Sequence, residues 1–397
     1  MNFLLINAYS TKNRGDAGIV VAMIYLIREV YPDAKIKVMS SYWEENKEFY
    51  NRYKVESVPA IWTLNPNYST IGRYLSGIKK FFKSLLFPNK IEEYKNADVV
   101  ISVGGGYLYS SRKGPLGVGL INALFHIWLG KRMKKKTLAF PQSVGPINYF
   151  FDKIVTRLVL KEVDSFISRE SITTELLKKM NIKSNLKQIP DIGFTLPKKV
   201  LKSRDVSFDK GSVKVGLTLL DWRFAKKNST SEDIDLYLSK VAYACEKIYS
   251  QIPNVHFYIF PQVTVGEGDS DMTVSKRLED ILGSKSTVIN LDLIENCPEY
   301  LVDIYGRMDM FIGSRMHSTI FALAGGTPTI ALAYQYKTMG TFKEIGLDNY
   351  VLNVEDFDQE DLSVMMSKII TNGYPLDDVE KNILHIKRNL INEINSI

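Results

Sequence analysis

Arg315 and His317 stand two residues apart in GSRMHSTIFALAGGTPTIALAY, residues 313–334 of a 397-residue chain that has four histidines. They fall where an apolar run, DMFIGS, gives way to helical spacing in RMHSTIFALAGG. The free N–H groups and positive dipole end of a helix favour an anion. An arginine adds a planar fork suited to phosphate or carboxylate. Histidine trades a proton near neutral pH. The pair therefore suits an anionic substrate that needs protonation; the plainer alternative is a helix cap beside a packed histidine. Gly325, Gly326 and Pro328 end the helix and start the next strand.

Six further stretches carry candidate groups. In NRGDAGIV, Asn13, Gly15 and Asp16 lie between a first strand and a first helix, with Asp16 expected as the N-cap and Gly15 permitting close approach of a ligand. The spacing matches neither the dinucleotide fingerprint nor the P-loop. In ISVGGGYLYS, Gly105 and Gly106 follow a strand and either expose backbone amides to a substrate or make a tight turn. In FPQSVGPI, Gln142 and Ser143 at a strand end could hydrogen-bond sugar hydroxyls. In ISRES, Arg169 follows another strand; its alternative is a surface salt bridge with Glu170 or a helical neighbour. In LTLLDWRF, Asp221, Trp222 and Arg223 follow a strand of the second half. The acids Glu267, Asp269 and Asp271 of PQVTVGEGDSD could hold a divalent metal, but such a run reads first as a solvated loop capping the next helix.

The elements that position these groups alternate along the chain. MNFLLINA, AKIKVMS, ADVVISVGGG, KKTLAFPQSVG, VDSFISRE and LKQIPDIGF read as strands, with amphipathic stretches between them. A polar break at residues 197–211 precedes a second series: VKVGLTLL, VHFYIFPQV, STVINLD, MDMFIGS and PTIALAY. Helices are expected near residues 275–282, 298–306 and 317–324, and again from about Asp358 to the end. Such alternation implies βαβ units and parallel sheets. The expected fold is α/β: two Rossmann-like doubly wound domains, residues 1–200 and 201–397, facing a cleft, with C-terminal helices. Ligands in such sheets sit outside the carboxyl ends of the strands.

Composition narrows the partners. Two cysteines give no disulfide framework and no cysteine metal site, which suits a reducing compartment. The first residues read as a strand, not a signal peptide. The longest uncharged run, residues 114–130, is too short to span a bilayer and reads as a buried helix. A net charge of +7 favours anionic partners. Much of it is local, in RYLSGIKKFFKSLLFPNK (73–90) and GKRMKKK (130–136). Each is either a solvated helix face or a basic amphipathic membrane contact. No zinc-finger spacing or aromatic RNA-binding signature points to nucleic acid.

Together, NRGDAGI, ADVVISVGGG, PQSVGP, SRES, PDIGF, PQVTVGEGDSD and GSRMHS with AGGTP resemble the polysaccharide pyruvyl transferase family over most of the chain. The resemblance implies a twin-Rossmann fold like that of GT-B glycosyltransferases. It also implies transfer of a pyruvyl group from phosphoenolpyruvate to a sugar, forming a ketal and releasing phosphate. His317 then matches the catalytic histidine, Arg315 an arginine of the phosphoenolpyruvate site and Arg169 a second donor arginine. Many relatives carry an arginine just before the aromatic residue of LLDWRF; Leu220 and Asp221 stand there instead, and Arg223 is the candidate to supply that charge. Ser318 joins the donor side, in the C-terminal domain. Asn13, Gly15, Asp16, Gly105, Gly106, Gln142 and Ser143 form the expected acceptor side, in the N-terminal domain. No cofactor or metal is expected. The acceptor is expected to be a lipid-diphosphate-linked glycan, and the location cytoplasmic, with peripheral contact at the inner face of the membrane. Two other readings stay open: a nucleotide-sugar glycosyltransferase on the same fold, and a non-catalytic glycan-binding protein.

Overall fold

A computed structural model describes residues 1–61, 70–88, 91–182, 185–201, 206–225, 229–263 and 271–397. It divides into two compact units. Unit 1 holds residues 1–11, 19–192 and 386–397; unit 2 holds residues 12–18 and 193–385. These units differ from the expected spans 1–200 and 201–397 in that residues 12–18 and 193–200 belong to unit 2 and residues 386–397 to unit 1.

Unit 1 contains β1 (Asn2–Ala8), most of α1 (Arg14–Val30), β2 (Lys35–Ser40), α2 (Trp43–Arg52), β3 (Glu56–Pro59), α3 (Thr70–Leu86) and α4 (Glu92–Asn96). There follow β4 (Val99–Ser102), β5 (Gly105–Leu108), α5 (Val118–Arg132), β6 (Lys136–Val144), α6 (Phe150–Leu160), β7 (Ser165–Ser168), α7 (Ser171–Lys179) and β8 (Leu186–Gln188). Its sheet runs β3-β2-β1-β4-β6-β7-β8, with β5 paired to β6, and every pairing is parallel. The strands are near-continuous apolar runs because helices cover both faces of such a sheet. The run at 114–130 becomes α5, buried through Leu120, Leu124, Ile127 and Leu129.

Unit 2 contains β9 (Val213–Thr218), α8 (Ser231–Gln251), β10 (Val255–Ile259), α9 (Asp271–Leu282), β11 (Ser286–Val288), α10 (Pro298–Tyr305) and β12 (Met310–Gly313). It continues through α11 (Met316–Ala324), β13 (Thr329–Ala333), α12 (Tyr336–Glu344), β14 (Val351–Asn353), α13 (Gln359–Asn372) and α14 (Leu376–Asn395), whose last ten residues belong to unit 1. The sheet order is β11-β10-β9-β12-β13-β14, all parallel. Local chemistry sets the helix starts. Thr230 with Asp233 and Asp358 with Asp361 form reciprocal capping boxes at α8 and α13, and Pro298 opens α10. The expected α/β class with parallel sheets and C-terminal helices is borne out. β3, α2, α12 and β14 are additions to the expected elements. α9 begins at Asp271 rather than near Ser275, because Asp271 is drawn inward by a partner described below.

Candidate active site

In unit 2 the strand order reverses between β9 and β12. Crevices outside the carboxyl ends at such a switch point are where doubly wound sheets bind ligands. Arg315 and His317 follow β12 directly. Their turn is fixed to the end of β9 by hydroxyls. Ser318 Oγ donates to the Arg315 carbonyl at 2.6 Å and lies 2.5 Å from Thr218 Oγ1, which therefore donates to it. Ser318, expected on the donor side, is fully buried in this role. Beside it, Ser314 Oγ lies 2.5 Å from the Tyr237 hydroxyl. Burial pushes the Tyr237 hydroxyl's pKa up, so it stays protonated.

His317 sits half-buried in the first turn of α11. Its ring stacks on Phe321 one turn later, with centroids 6.2 Å apart. Opposite lies α1. A Cβ on Gly15 would fall 2.4 Å from His317 Nδ1, and a Cβ on Gly18 would fall 2.5 Å from Phe321 Cζ. Two glycines three apart lie on one helix face, and here they admit the two rings of α11. Asn13 caps α1: its Oδ1 accepts from the Gly15 and Asp16 N–H groups at 3.1 and 3.4 Å. The expectation of an Asp16 cap is thus corrected. The helix starts at Arg14, so Asp16 is its third residue and Asn13 has the cap position.

A cation at a helix N-terminus opposes the helix dipole. Two arginines of unit 2 take that position and each has a carboxylate. Arg315 donates to Asp271 through Nη2 at 2.7 Å and through Nε at 3.1 Å. Asp271 is fully buried, with its Oδ2 also accepting from the Val263 N–H at 2.9 Å. Arg14 is 6% exposed and donates to Asp292 at 2.7 Å and to the Gln262 carbonyl at 3.1 Å. The expected solvated acidic loop is corrected at Asp271; Glu267 and Asp269 lie outside the described residues. Asp271 and Arg14 have roles that sequence reading did not assign. The available signal was the placement of each arginine against a helix dipole, which demands a partner.

Unit 1 holds the third arginine of this kind. Arg169, 2% exposed, donates through Nη1 to Asp191 at 2.7 Å and through Nε to Ser143 Oγ at 2.5 Å, with Glu170 3.5 Å away. Ser143 in turn donates to Glu170 at 2.8 Å. Both carboxylates are fully buried, so the expected alternative of a surface salt bridge is corrected to an interior one. Gln142 is also buried; its Oε1 accepts from the Tyr107 hydroxyl at 3.2 Å, and its Nε2 has no hydrogen-bond partner among the described residues. Gly105 and Gly106 lie in β5, paired to β6, rather than in a turn after β4.

The structure therefore groups Asn13, Gly15 and Asp16 with Arg315, His317 and Ser318 in unit 2, and Gly105, Gly106, Gln142 and Ser143 with Arg169 in unit 1. Arg223 is exposed and folds back on Asp221. That hydrogen bond holds the Asp221 carboxyl below its usual range and raises the Arg223 guanidinium. His126 is an interior group: its Nδ1 lies 2.9 Å from the Tyr94 hydroxyl, and burial lowers its pKa to about 4. In the second basic cluster Lys131 pairs with Asp164 at 2.9 Å. Among the described residues no group of three His, Cys, Asp or Glu side chains is arranged to hold a metal, and no helix is long and apolar enough to cross a membrane.

Residues 13–336 match the family model of polysaccharide pyruvyl transferase. The amylovoran biosynthesis protein AmsJ of Erwinia amylovora is 22% identical over 430 residues, an alignment covering 99% of this chain and 98% of that protein. Among solved structures, UDP-GlcNAc 2-epimerase from Neisseria meningitidis bound to UDP-GlcNAc superposes with a TM-score of 0.60 at 11% identity, covering 100% of both chains. MurG of Acinetobacter baumannii gives 0.55 at 10% identity, covering 100% of this chain and 99% of its own. At such identities the likeness carries the fold alone, the GT-B kind expected from the sequence.

Proposed function

The chain belongs to the polysaccharide pyruvyl transferase family, and from that premise we propose that it transfers the pyruvyl group of phosphoenolpyruvate to two hydroxyls of a glycan sugar, closing a ketal and releasing phosphate. One observation carries the reading. An imidazole held between Gly15 and Phe321 stands two residues from an arginine anchored on a buried carboxylate, at the switch point of unit 2.

In this reading Arg315 engages the anionic donor, its fork oriented by Asp271. His317 gives a proton to the methylene carbon, leaving an oxocarbenium-like centre at the neighbouring carbon. A sugar hydroxyl attacks that centre and loses its proton, which restores His317. The carbon–oxygen bond to phosphate then breaks, phosphate leaving with the electron pair. The second hydroxyl closes the ring and its proton leaves with phosphate. One hydroxyl proton replaces the one delivered to carbon and the other ends on phosphate, so the reaction balances with no redox partner and no metal. On the acceptor side, the Nε2 of Gln142, without a hydrogen-bond partner among the described residues, supports a role in binding a sugar hydroxyl. The relative's place in amylovoran biosynthesis supports an exopolysaccharide precursor, and a lipid-diphosphate-linked glycan is our choice of acceptor.

The test supplies phosphoenolpyruvate with a panel of simple and lipid-linked galactosides, glucosides and mannosaminides. Phosphate release with a ketal-bearing product, insensitive to chelator, is expected. Consumption of a sugar nucleotide without phosphate release from phosphoenolpyruvate would instead establish the glycosyltransferase reading, and glycan binding without turnover the non-catalytic one.

A further inference from the structure

Unit 1 turns large apolar side chains outward on two helices. On α6, Phe150, Phe151, Ile154 and Leu158 are 71%, 58%, 39% and 54% exposed. Residues 151, 154 and 158 share a helix face, and exposed Lys153 and Arg157 lie along its side. On α3, Leu75, Ile78, Phe82 and Leu86 repeat the pattern with exposed Lys79 and Lys83. The side chains of Arg73 and Lys80, which belong to the same stretch, lie outside the described residues.

The two helices are rooted in one core. Phe81 of α3 meets Phe125 of α5 with ring centroids 4.5 Å apart, and Phe81, Leu120 of α5 and Val155 and Val159 of α6 pack in the same apolar cluster. The loop before α5 is fastened to α6 by a buried carboxylate. Asp152 accepts from Ser110 Oγ at 2.5 Å and from the Leu116 N–H at 2.6 Å. This holds Leu116, itself exposed and close in sequence to exposed Arg112 and Lys113, beside the first turns of α6.

We propose that the outward side of α6, assisted by that of α3, docks on an anionic lipid leaflet, with the α6 phenylalanines entering the headgroup boundary and the flanking cations meeting lipid phosphates. Charge complementarity selects the occupant. Residues 70–88, 109–118 and 150–161 contain one carboxylate, Asp152, and it is turned inward. Cations interleaved with bulky apolar groups are the pattern of an interfacial amphipathic surface. A second copy of the chain would bring like charges together, and nucleic acid would leave the phenylalanines without apolar contact.

The test is co-sedimentation of the full chain with phosphatidylcholine vesicles, plain or doped with phosphatidylglycerol, together with amide hydrogen exchange. The wild-type chain should bind doped vesicles, less at high salt, and exchange over 150–161 should slow when they are added. The double variant Lys153→Glu/Arg157→Glu should bind at least about 25-fold more weakly, at about fivefold per cation removed. Phe151→Ser/Leu158→Ser should weaken binding at every salt concentration. All four positions are exposed, and thermal melts check that the variants fold. Absence of wild-type binding, wild-type-like binding by both variants, or unchanged exchange over 150–161 overturns the proposal. So does self-association or RNA binding that both variants abolish while vesicles stay unbound. The inference does not rest on pyruvyl transfer. Vesicle binding without phosphate release refutes that reading alone, and phosphate release without vesicle binding refutes this one alone.

Discussion

Arg169 in unit 1 and Arg315 in unit 2 occupy equivalent local positions. Each follows a parallel strand and precedes a helix, and each is paired to a fully buried aspartate, Asp191 or Asp271. Their surroundings differ. Arg169 is enclosed by two carboxylates and a serine, and two residues later stands Ser171. Arg315 has side-chain exposure of 12%, and two residues later stands the half-buried His317. One strand-end arginine is bound to acids and a serine inside its unit; the other stands beside a half-buried imidazole, the proton donor of the proposed reaction. Strand-end position alone does not distinguish them, and the neighbouring acids do.

The largest effect that would break this contrast is on chemistry. His317→Ala should lower turnover about 10²- to 10⁴-fold, the usual span for a general acid, while the melting temperature stays near that of the wild type. Near-normal turnover in the folded variant would remove His317 from the reaction.

The arginines themselves come next. Arg169→Met leaves Asp191 and Glu170 buried without a cation and should cost about 3–5 kcal/mol in urea unfolding. Arg315→Lys keeps the charge and loses the fork. It should lower kcat/KM for phosphoenolpyruvate about 10- to 100-fold with little change in unfolding. If Arg169→Lys shows the same kinetic loss at unchanged stability, both arginines serve the donor and the contrast fails.

Gly15→Ala sharpens the geometry. Its Cβ would fall 2.4 Å from His317 Nδ1, so the ring must shift. Overpacking of this kind costs about 1–3 kcal/mol, and turnover should fall further than stability does. Wild-type kinetics in Gly15→Ala would show that the ring position is not used.

The smallest effect compares the two histidines. His126 is buried and its pKa is lowered from 6.5 to about 4, so below the upper value the unfolded chain binds the extra proton. Its contribution to stability is therefore complete above about pH 6.5 and is lost as pH falls toward about 4. Between pH 6.5 and about 5.5 the loss should be about 1 kcal/mol. His126→Gln should remove that slope from the unfolding curve. An unchanged slope would show that His126 does not titrate on unfolding.

Strands such as β1, β4, β9 and β12 were legible because a run of buried apolar residues is a local property of a sheet covered on both faces. β3 and β14 carry no end-to-end run of buried residues, unlike the similarly short β4 and β12, and α2 is strongly polar, so the apolar pattern had little to show. The start of α9 differs from the expected one near Ser275 because Asp271 resembles a loop acid until Arg315, 44 residues away, is seen beside it. The cap of α1 lies three residues before the expected Asp16 because Asn13 and Asp16 are both good capping types, and only backbone geometry chooses between them.

By itself the sequence determined the α/β class, the arginine–histidine step at a strand end and the family, since each is written in local order and spacing. The tertiary structure decided what each group faces. It packed Gly15 against His317 across about three hundred positions of chain, assigned Asp271 to Arg315 and Asp191 to Arg169, and turned Ser318 inward to Thr218. Burial and charge pairing depend on which strands become neighbours, and strand order at a switch point is a property of the assembled sheet, not of any segment in it.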